Sequence, residues 1–389
     1  MMKNAGKIII VNIAITLLLL FAVNLASETV MLVYGLAEQQ ANADRVDERA
    51  NLPNYAGDRD TAKRHFQEFD RLVTRFEPYI GWSRKPFEGE TIHIDHRGDR
   101  VHENARLSAR QDGAIAPNLV PSVHFFGGST VWGTGVPDGE TIPALFNRIS
   151  GIDTFNKGEI NFTSRQELDR FINLLTLEGE PINAAVFYDG VNEVLNLCRS
   201  ENNGEEYGTA DGIRQMLEKK TERSPVGRFS QYLDSLFLQG TRSLITLVAS
   251  KGAIGNNNLD RTMNCDERPE KARKIASTLV DNWETARDLA RARGIEFLAI
   301  LQPVAFFGNP KLDALHLDAG GDNELRKQYE AVYPLVRAKM QERKRDWILD
   351  YTNLFDRDED IYIDFCHVSK NGNLIIAKQI YTDLKKAKN

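Results

Sequence analysis

The pattern of apolar and polar positions changes character several times along the chain. From Ile8 to Ser27 no residue is charged, and Ile, Leu and Val dominate. Twenty helical residues at 1.5 Å rise span roughly 30 Å, the thickness of a bilayer's hydrocarbon core. Residues 1–36 are therefore read as a short cytoplasmic N-terminus and a membrane span. Residues 37–60 are polar without strong periodicity, which predicts a linker. Over 61–118 the chain reads as a small preface. Phe66, Phe69, Leu72, Val73 and Phe76 fall at helical spacing, and Pro78-Tyr-Ile-Gly-Trp82 and Thr91-Ile-His-Ile-Asp95 are rich in β-formers.

From residue 119 to 389 short apolar runs alternate with longer amphipathic ones. Strands are predicted at Ser122–Phe126, Thr154–Asn156, Asn183–Tyr188, Ile295–Leu301 and Trp347–Asp350. Helices are predicted at about 142–149, 164–177, 266–293, 323–343 and 371–385, with Ser164 as an N-cap and Glu167 completing a capping box. Residues 199–265 interrupt this rhythm as an insertion, polar at first and helical around Tyr232–Val248. Alternating strands and helices predict a parallel sheet covered on both faces. Strands that are apolar without clean alternation fit that burial.

Composition adds bounds. The chain has 389 residues, 42% hydrophobic and 27% charged, as in a globular protein. A net charge of −6 gives no basic face for nucleic acid. Lys3 and Lys7 precede the apolar stretch and Glu28 follows it. The positive-inside rule then keeps the N-terminus in the cytoplasm and places the rest on the periplasmic or extracytoplasmic side, as a single-pass inner-membrane protein. The alternative is a cleaved signal peptide, with Asn24-Leu-Ala26 as a poor cleavage site. Of the three cysteines, Cys198 and Cys265 bracket the polar insertion and are candidates for a disulfide, with Cys366 free.

In parallel sheets the working groups sit beyond the C-terminal strand ends. Those ends carry Gly127-Gly-Ser129, Asn156-Lys-Gly158, Gly190-Val-Asn192, Gln302 and the loop with Asp364 and His367. Glycines before Ser129 allow a tight turn and leave the hydroxyl open, although serine there is also an ordinary helix cap. An Asp three residues before a His can hold one ring nitrogen, so Ser129, His367 and Asp364 form a candidate acyl-transfer triad. The Gly-x-Ser-x-Gly elbow is absent around Ser129. The oxyanion donors are the Ser129 N–H, the Asn192 side chain and the loop around Gly158–Asn161. Asn192 also reads as a turn residue. Trp132, Gly158, Glu193 and Gln302 are candidates for substrate contact, with a core role the alternative for Trp132. His93 and His96 read as surface residues of a strand and its turn, without further metal ligands, His124 as a core or strand histidine rather than a base, and His316 as a surface histidine, with lining of the substrate cleft the alternative. No metal and no cofactor is expected.

These blocks resemble the SGNH (GDSL-like) hydrolase family. Gly127-Gly-Ser-Thr130 is similar to its first block, Asn156-Lys-Gly-Glu-Ile-Asn-Phe-Thr-Ser164 to its second, Gly190-Val-Asn-Glu193 to its third and Asp364-Phe-Cys-His367 to its last. The resemblance covers about residues 120–385. It implies a flavodoxin-like three-layer α/β/α sandwich and serine esterase or acyltransferase activity, often on acetylated sugars. Two departures stand out. Asn161 occupies the position of the second-block glycine, and Asn tolerates left-handed backbone. Glu193 replaces the usual Asp. The function expected is removal of acyl groups, foremost acetyl, from an extracytoplasmic carbohydrate or other small ester. The alternatives are an O-acyltransferase with the same triad and a non-catalytic carbohydrate-binding or scaffold protein. Oligomeric state is not legible.

Overall fold

The computed structural model describes residues 2–44, 48–102, 122–178, 181–200, 202, 232–252, 263–315, 317 and 321–387. His316, most of the insertion and the end of the preface lie outside them. The chain forms two compact units. One comprises Met1–Arg45 with Thr209–Arg261, the other Val46–Gly208 with Thr262–Asn389.

In the first unit, α1 (Met2–Asp44) is one continuous helix. Its segment Lys7–Gly35, whose most apolar 18-residue window has a mean hydropathy of 2.7, is long and apolar enough to cross a membrane. Residues 37–60, expected as a linker, are different. α1 continues to Asp44, and short 3-10 turns follow at Glu48–Asn51 and Pro53–Tyr55. Ala50 and Tyr55 are buried there.

In the second unit, α2 (Arg59–Phe69) precedes a hairpin of Thr74–Glu77 with Gly81–Arg84 and a smaller pair, Phe87–Glu88 with His93–Ile94. The central sheet has five parallel strands: β1 (Ser122–Gly127), β2 (Asp153–Asn156), β3 (Ala184–Asp189), β4 (Glu296–Leu301) and β5 (Ile348–Asp350). Their spatial order is β2-β1-β3-β4-β5, the flavodoxin-like order. Along the sheet run α3 (Ser129–Trp132), α4 (Ile142–Ser150), α5 (Ser164–Asn173) and α6 (Val191–Leu197). The first unit's α7 (Gln239–Gly252) comes next, then α8 (Pro269–Ala292), α9 (Gly321–Arg343) and α10 (Lys370–Ala387).

Strand alternation divides the core into two layers. Phe126, Phe187, Phe297 and Ala299 pack with Phe171, Trp283, Tyr329 and Tyr333 of α5, α8 and α9. Phe125, Val186, Tyr188 and Ile300 pack with Phe146, Ile376 and Ile380 of α4 and α10. Neighbours along one strand point to opposite faces, so a strand buried on both sides must be apolar at every position. β1 and β3 are buried throughout.

The preface is fastened to the sheet by buried charge. Asp99 pairs with Lys157 Nζ at 2.7 Å and with the Arg170 guanidinium, and all three side chains are nearly inaccessible. Arg100 Nε pairs with Asp138 at 2.8 Å, and its Nη1 donates to the Gly133 carbonyl at 2.7 Å. Tyr55 Oη donates to the Gly135 carbonyl at 2.8 Å. These bonds fix residues 133–138, the turn that follows α3. Burial alone would raise the Asp99 carboxyl, but Lys157 and Arg170 outweigh it and hold it well below the usual carboxylate range. Removing one partner of such a group leaves an uncompensated buried charge. Asp99→Asn is therefore expected to destabilise the chain by about 3–5 kcal/mol in denaturant titration. A change within about 0.5 kcal/mol, the range of ordinary surface substitutions, would show that the preface is dispensable to the fold.

Candidate active site

Ser129 opens α3 immediately beyond β1, after Gly127 and Gly128. Neither glycine has room for a side chain. A Cβ on Gly127 would stand 2.4 Å from Val131 Cγ2, and one on Gly128 would stand 2.2 Å from Asn192 Nδ2. The second glycine thus allows the Asn192 amide to lie directly beside the residue that precedes Ser129. Ser129 Oγ is 2.7 Å from His367 Nε2. His367 Nδ1 is 2.7 Å from Asp364 Oδ2. Asp364 Oδ1 accepts the backbone N–H of Cys366 at 2.9 Å and of His367 at 2.7 Å. Burial works against the Asp364 charge, but the His367 ring and these N–H groups outweigh it and keep the carboxyl well below its ordinary range. Asp364 is thus an anion facing the imidazole, and the three side chains form one continuous hydrogen-bonded chain.

Three N–H groups are the donors expected for an oxyanion. The Ser129 N–H lies in the first turn of α3, where no intrahelical acceptor exists. Asn192, at the start of α6, spends one amide N–H on the Phe162 carbonyl at 2.6 Å. Its second N–H meets no acceptor among the described residues. Asn161 has φ +70°, the left-handed region that asparagine tolerates. Its carbonyl is held by Asn196 Nδ2 at 3.2 Å, and its N–H takes no acceptor among the described residues.

Other expected contacts are placed differently. Trp132 is fully buried, with the Arg100 guanidinium 4.3 Å above its ring and Phe69 edge-on. It is a core residue and offers no face to a sugar. Gly158 is buried and its N–H donates to Asn156 Oδ1 at 3.0 Å, so it is no free donor. Its role is close approach, since an added Cβ would meet the Trp132 nitrogen at 2.6 Å. Glu193 is buried and accepts the N–H of Ser164 (2.6 Å) and of Gly190 (3.1 Å), so it braces the loop that carries Asn192. Gln302 is buried too. Its Oε1 accepts from Thr130 Oγ1 at 3.4 Å, and its Nε2 meets no acceptor among the described residues. Cys198 and Cys265 are joined by a disulfide with Cα atoms 5.2 Å apart, and Cys366 is a buried free thiol.

Asp364, Cys366 and His367 lie close enough for a metal by distance alone. The donor set does not fit one. Both His367 nitrogens are engaged by Asp364 and Ser129, and burial pushes the Cys366 thiol well above its ordinary value, so it stays protonated.

Two features are missing from the sequence reading. Arg49 Nη1, from a turn in the supposed linker, reaches 3.9 Å from Asp364 Oδ2. Behind the loop that carries Asn192 lies a buried group of carboxyls, Glu167, Asp189 and Glu193. The cap of α5 is Thr163, whose N–H donates to Gln166 Oε1 at 3.3 Å, so Ser164 and Glu167 do not form the expected box. Glu167 instead lies buried among the acids. Trp283 Nε1 donates to Asp189 Oδ2 at 2.6 Å. Burial, then the Asp189 charge, push Glu193 up to about 7, and burial first and Asp189 second raise Glu167 well above its ordinary value. Nothing in strand or helix periodicity distinguishes these acids from surface ones.

No family model matches the chain, and no curated protein matches it. Among solved structures, a GDSL-like lipase from Bacteroides thetaiotaomicron VPI-5482 is 14% identical, covers 72% of this chain and 97% of its own, and has a TM-score of 0.37. A member of the lipolytic protein G-D-S-L family from Veillonella parvula DSM 2008 is 11% identical, with 68% and 97% covered and a TM-score of 0.34. An acetyl xylan esterase is 13% identical, with 67% and 98% covered and a TM-score of 0.32. Likenesses this distant assign no residue a role.

Two outcomes are expected. Gly128→Ala should displace the Asn192 amide and lower kcat on an ester by about as much as Asn192→Ala, on the order of 10²–10³-fold; an active Gly128→Ala enzyme would place the amide elsewhere. The raised acids carry a second signature. A group whose folded pKa exceeds its unfolded value stabilises the fold below the unfolded pKa, and that stability is lost as pH rises through the folded pKa. For Glu193 the window runs from its ordinary value near 4.5 to about 7. Stability should fall across it, and Glu193→Gln should flatten the decline in denaturant titrations at several pH values. An unchanged slope would mean that the acid is ionised throughout.

Proposed function

We propose that the protein is a serine esterase working through Ser129, His367 and Asp364. The observation that carries this is the unbroken hydrogen-bonded chain from Ser129 Oγ through His367 to Asp364, with 2.7 Å at both links. In this reading His367 Nε2 takes the Ser129 proton as Oγ attacks the ester carbonyl carbon. The carbonyl π pair moves onto oxygen. The resulting oxyanion is held by the N–H groups of Ser129 and Asn161 and by the Asn192 amide. The intermediate collapses, the alkoxide leaves with the proton from His367, and an acyl-Ser129 remains. Water, deprotonated by His367, then attacks that ester, the acyl–Oγ bond breaks, Ser129 Oγ takes the proton back from His367, and the acid is released. Asp364 keeps the imidazole in its working tautomer and stabilises the imidazolium.

The substrate proposed is an acylated carbohydrate, with acetyl as the acyl group. The catalytic unit is proposed to sit outside the cytoplasm on a retained single-pass anchor formed by α1. The disulfide between Cys198 and Cys265 supports an oxidising compartment. No metal or cofactor takes part in this scheme.

A chromogenic acetyl ester tests the reaction. Wild type should hydrolyse it at a rate independent of added glycan, and Ser129→Ala should lose on the order of 10⁴–10⁶-fold in kcat. Slow hydrolysis with fast transfer to the glycan would instead identify an acyltransferase. Asn161→Gly should keep most activity, because glycine holds the left-handed backbone, while Asn161→Val should lose it. Equal activity of the two would remove the Asn161 N–H from the oxyanion site.

A further inference from the structure

We infer that residues 232–245 of the insertion dock on α1 at Asn24, and that the docked pair presents one continuous surface to lipid, so that the chain meets the bilayer at two places distant in sequence. This rests on reading α1 as a retained membrane span.

Asn24 is the starting point. It is a polar amide near the end of a stretch without charge, and an unsatisfied polar group in hydrocarbon costs several kcal/mol. It is only 3% exposed, while its neighbours Val23 and Leu25 are 51% and 53% exposed. What covers it is the start of α7. Asn24 Oδ1 accepts the N–H of Gly240 at 2.7 Å and of Thr241 at 3.4 Å. Its Nδ2 donates to the Ser235 carbonyl at 3.2 Å and to Glu28 Oε1 at 3.1 Å. The first N–H groups of a helix lack intrahelical acceptors, and asparagine is a preferred side chain to satisfy them. Here the cap comes from 216 residues away.

The fit is close. A Cβ on Gly240 would stand 2.7 Å from the Asn24 carbonyl oxygen and 2.5 Å from Glu28 Cγ. Phe21 and Phe237 meet edge to face with centroids 6.3 Å apart. Cleavage after Ala26 would remove both Phe21 and Asn24, and the Gly240 N–H that they cover would turn to water for its acceptor. The contact therefore belongs to a chain that keeps α1.

Both members of the pair expose large apolar side chains. Leu18, Leu19 and Leu32 of α1 are 70%, 59% and 64% exposed, and Tyr232 and Ile245 of the insertion are 61% and 62% exposed. Water-facing surfaces rarely carry such a run, and a bilayer is its natural cover. Glu28 is the first charge after the apolar stretch, and the Asp234–Arg242 pair at 2.8 Å belongs to the docked segment. Charges that satisfy one another, with a tyrosine beside them, suit the headgroup level at the outer end of the span. The disulfide between Cys198 and Cys265 closes the base of the insertion.

The test uses the full chain in membranes with Phe21→Cys and Phe237→Cys together. Mild oxidation should cross-link the pair, read by peptide mass spectrometry. Adding Gly240→Val, which leaves α1 unaltered, should reduce the cross-link at least tenfold. A fluorescent label sensitive to polarity on Leu238→Cys should emit as in lipid, and shift toward its emission in water with Gly240→Val. No cross-link in a full-length, carbonate-resistant chain would overturn the docking while the span stands. A soluble chain beginning after Ala26 would overturn the span itself. A cross-linked chain whose label emits as in water would overturn the lipid-facing surface.

Discussion

The hydrogen bond between Ser129 and His367 joins positions 238 residues apart, and the rest of the second unit is arranged so that it can form. Two side chains so distant in sequence meet at 2.7 Å only if both backbones are held to a fraction of an ångström. The parallel sheet does that. β1 lies between β2 and β3, buried on both faces, and its C-terminal end delivers Ser129. The loop of Asp364 and His367 is pinned from its own side. The Ile363 N–H donates to the His367 carbonyl at 2.9 Å, and the Ala305 N–H donates to the Phe365 carbonyl at 2.9 Å. Asp364 then needs little freedom, since it accepts two backbone N–H groups as well as the ring.

The oxyanion side has a different support. Asn192 is held by the Phe162 carbonyl, and its loop is braced by Glu193. That brace belongs to a buried group of acids with little compensating charge. Burying several carboxyls is unfavourable unless they hold protons, and the raised values of Glu167, Asp189 and Glu193 show that route. Through Glu193 this group holds the backbone on either side of Asn192, which suits the proposed donor role of its amide.

Much of the fold is legible in the sequence because burial on both faces leaves a physical mark. Strands such as Ala184-Ala-Val-Phe-Tyr-Asp189 have no polar side to show, and glycine-rich ends mark where the sheet stops. Asn161 is legible only through the resemblance, which sets it at the second-block glycine, and its φ of +70° is one that glycine and asparagine both tolerate. What escapes depends on partners far along the chain. Asn54 looks like a linker residue, yet its amide donates to the Asp360 carbonyl at 2.6 Å, across 306 residues. Trp132 reads sooner as core than as a sugar contact, and its full burial under the Arg100 guanidinium and Phe69 settles it. Glu167 looks like a cap residue because Thr163 and Ser164 are adjacent hydroxyls. Its burial follows from how α5 packs on β3, which no local pattern records.

The central claim is that Ser129 is a nucleophile activated by His367. Intact-mass measurement after treatment with a fluorophosphonate tests it directly. The account predicts a single adduct on wild type, mapped to Ser129, no adduct on Ser129→Ala, and strongly slowed labelling of His367→Ala. An unlabelled wild-type chain, or an adduct that survives Ser129→Ala, would contradict it.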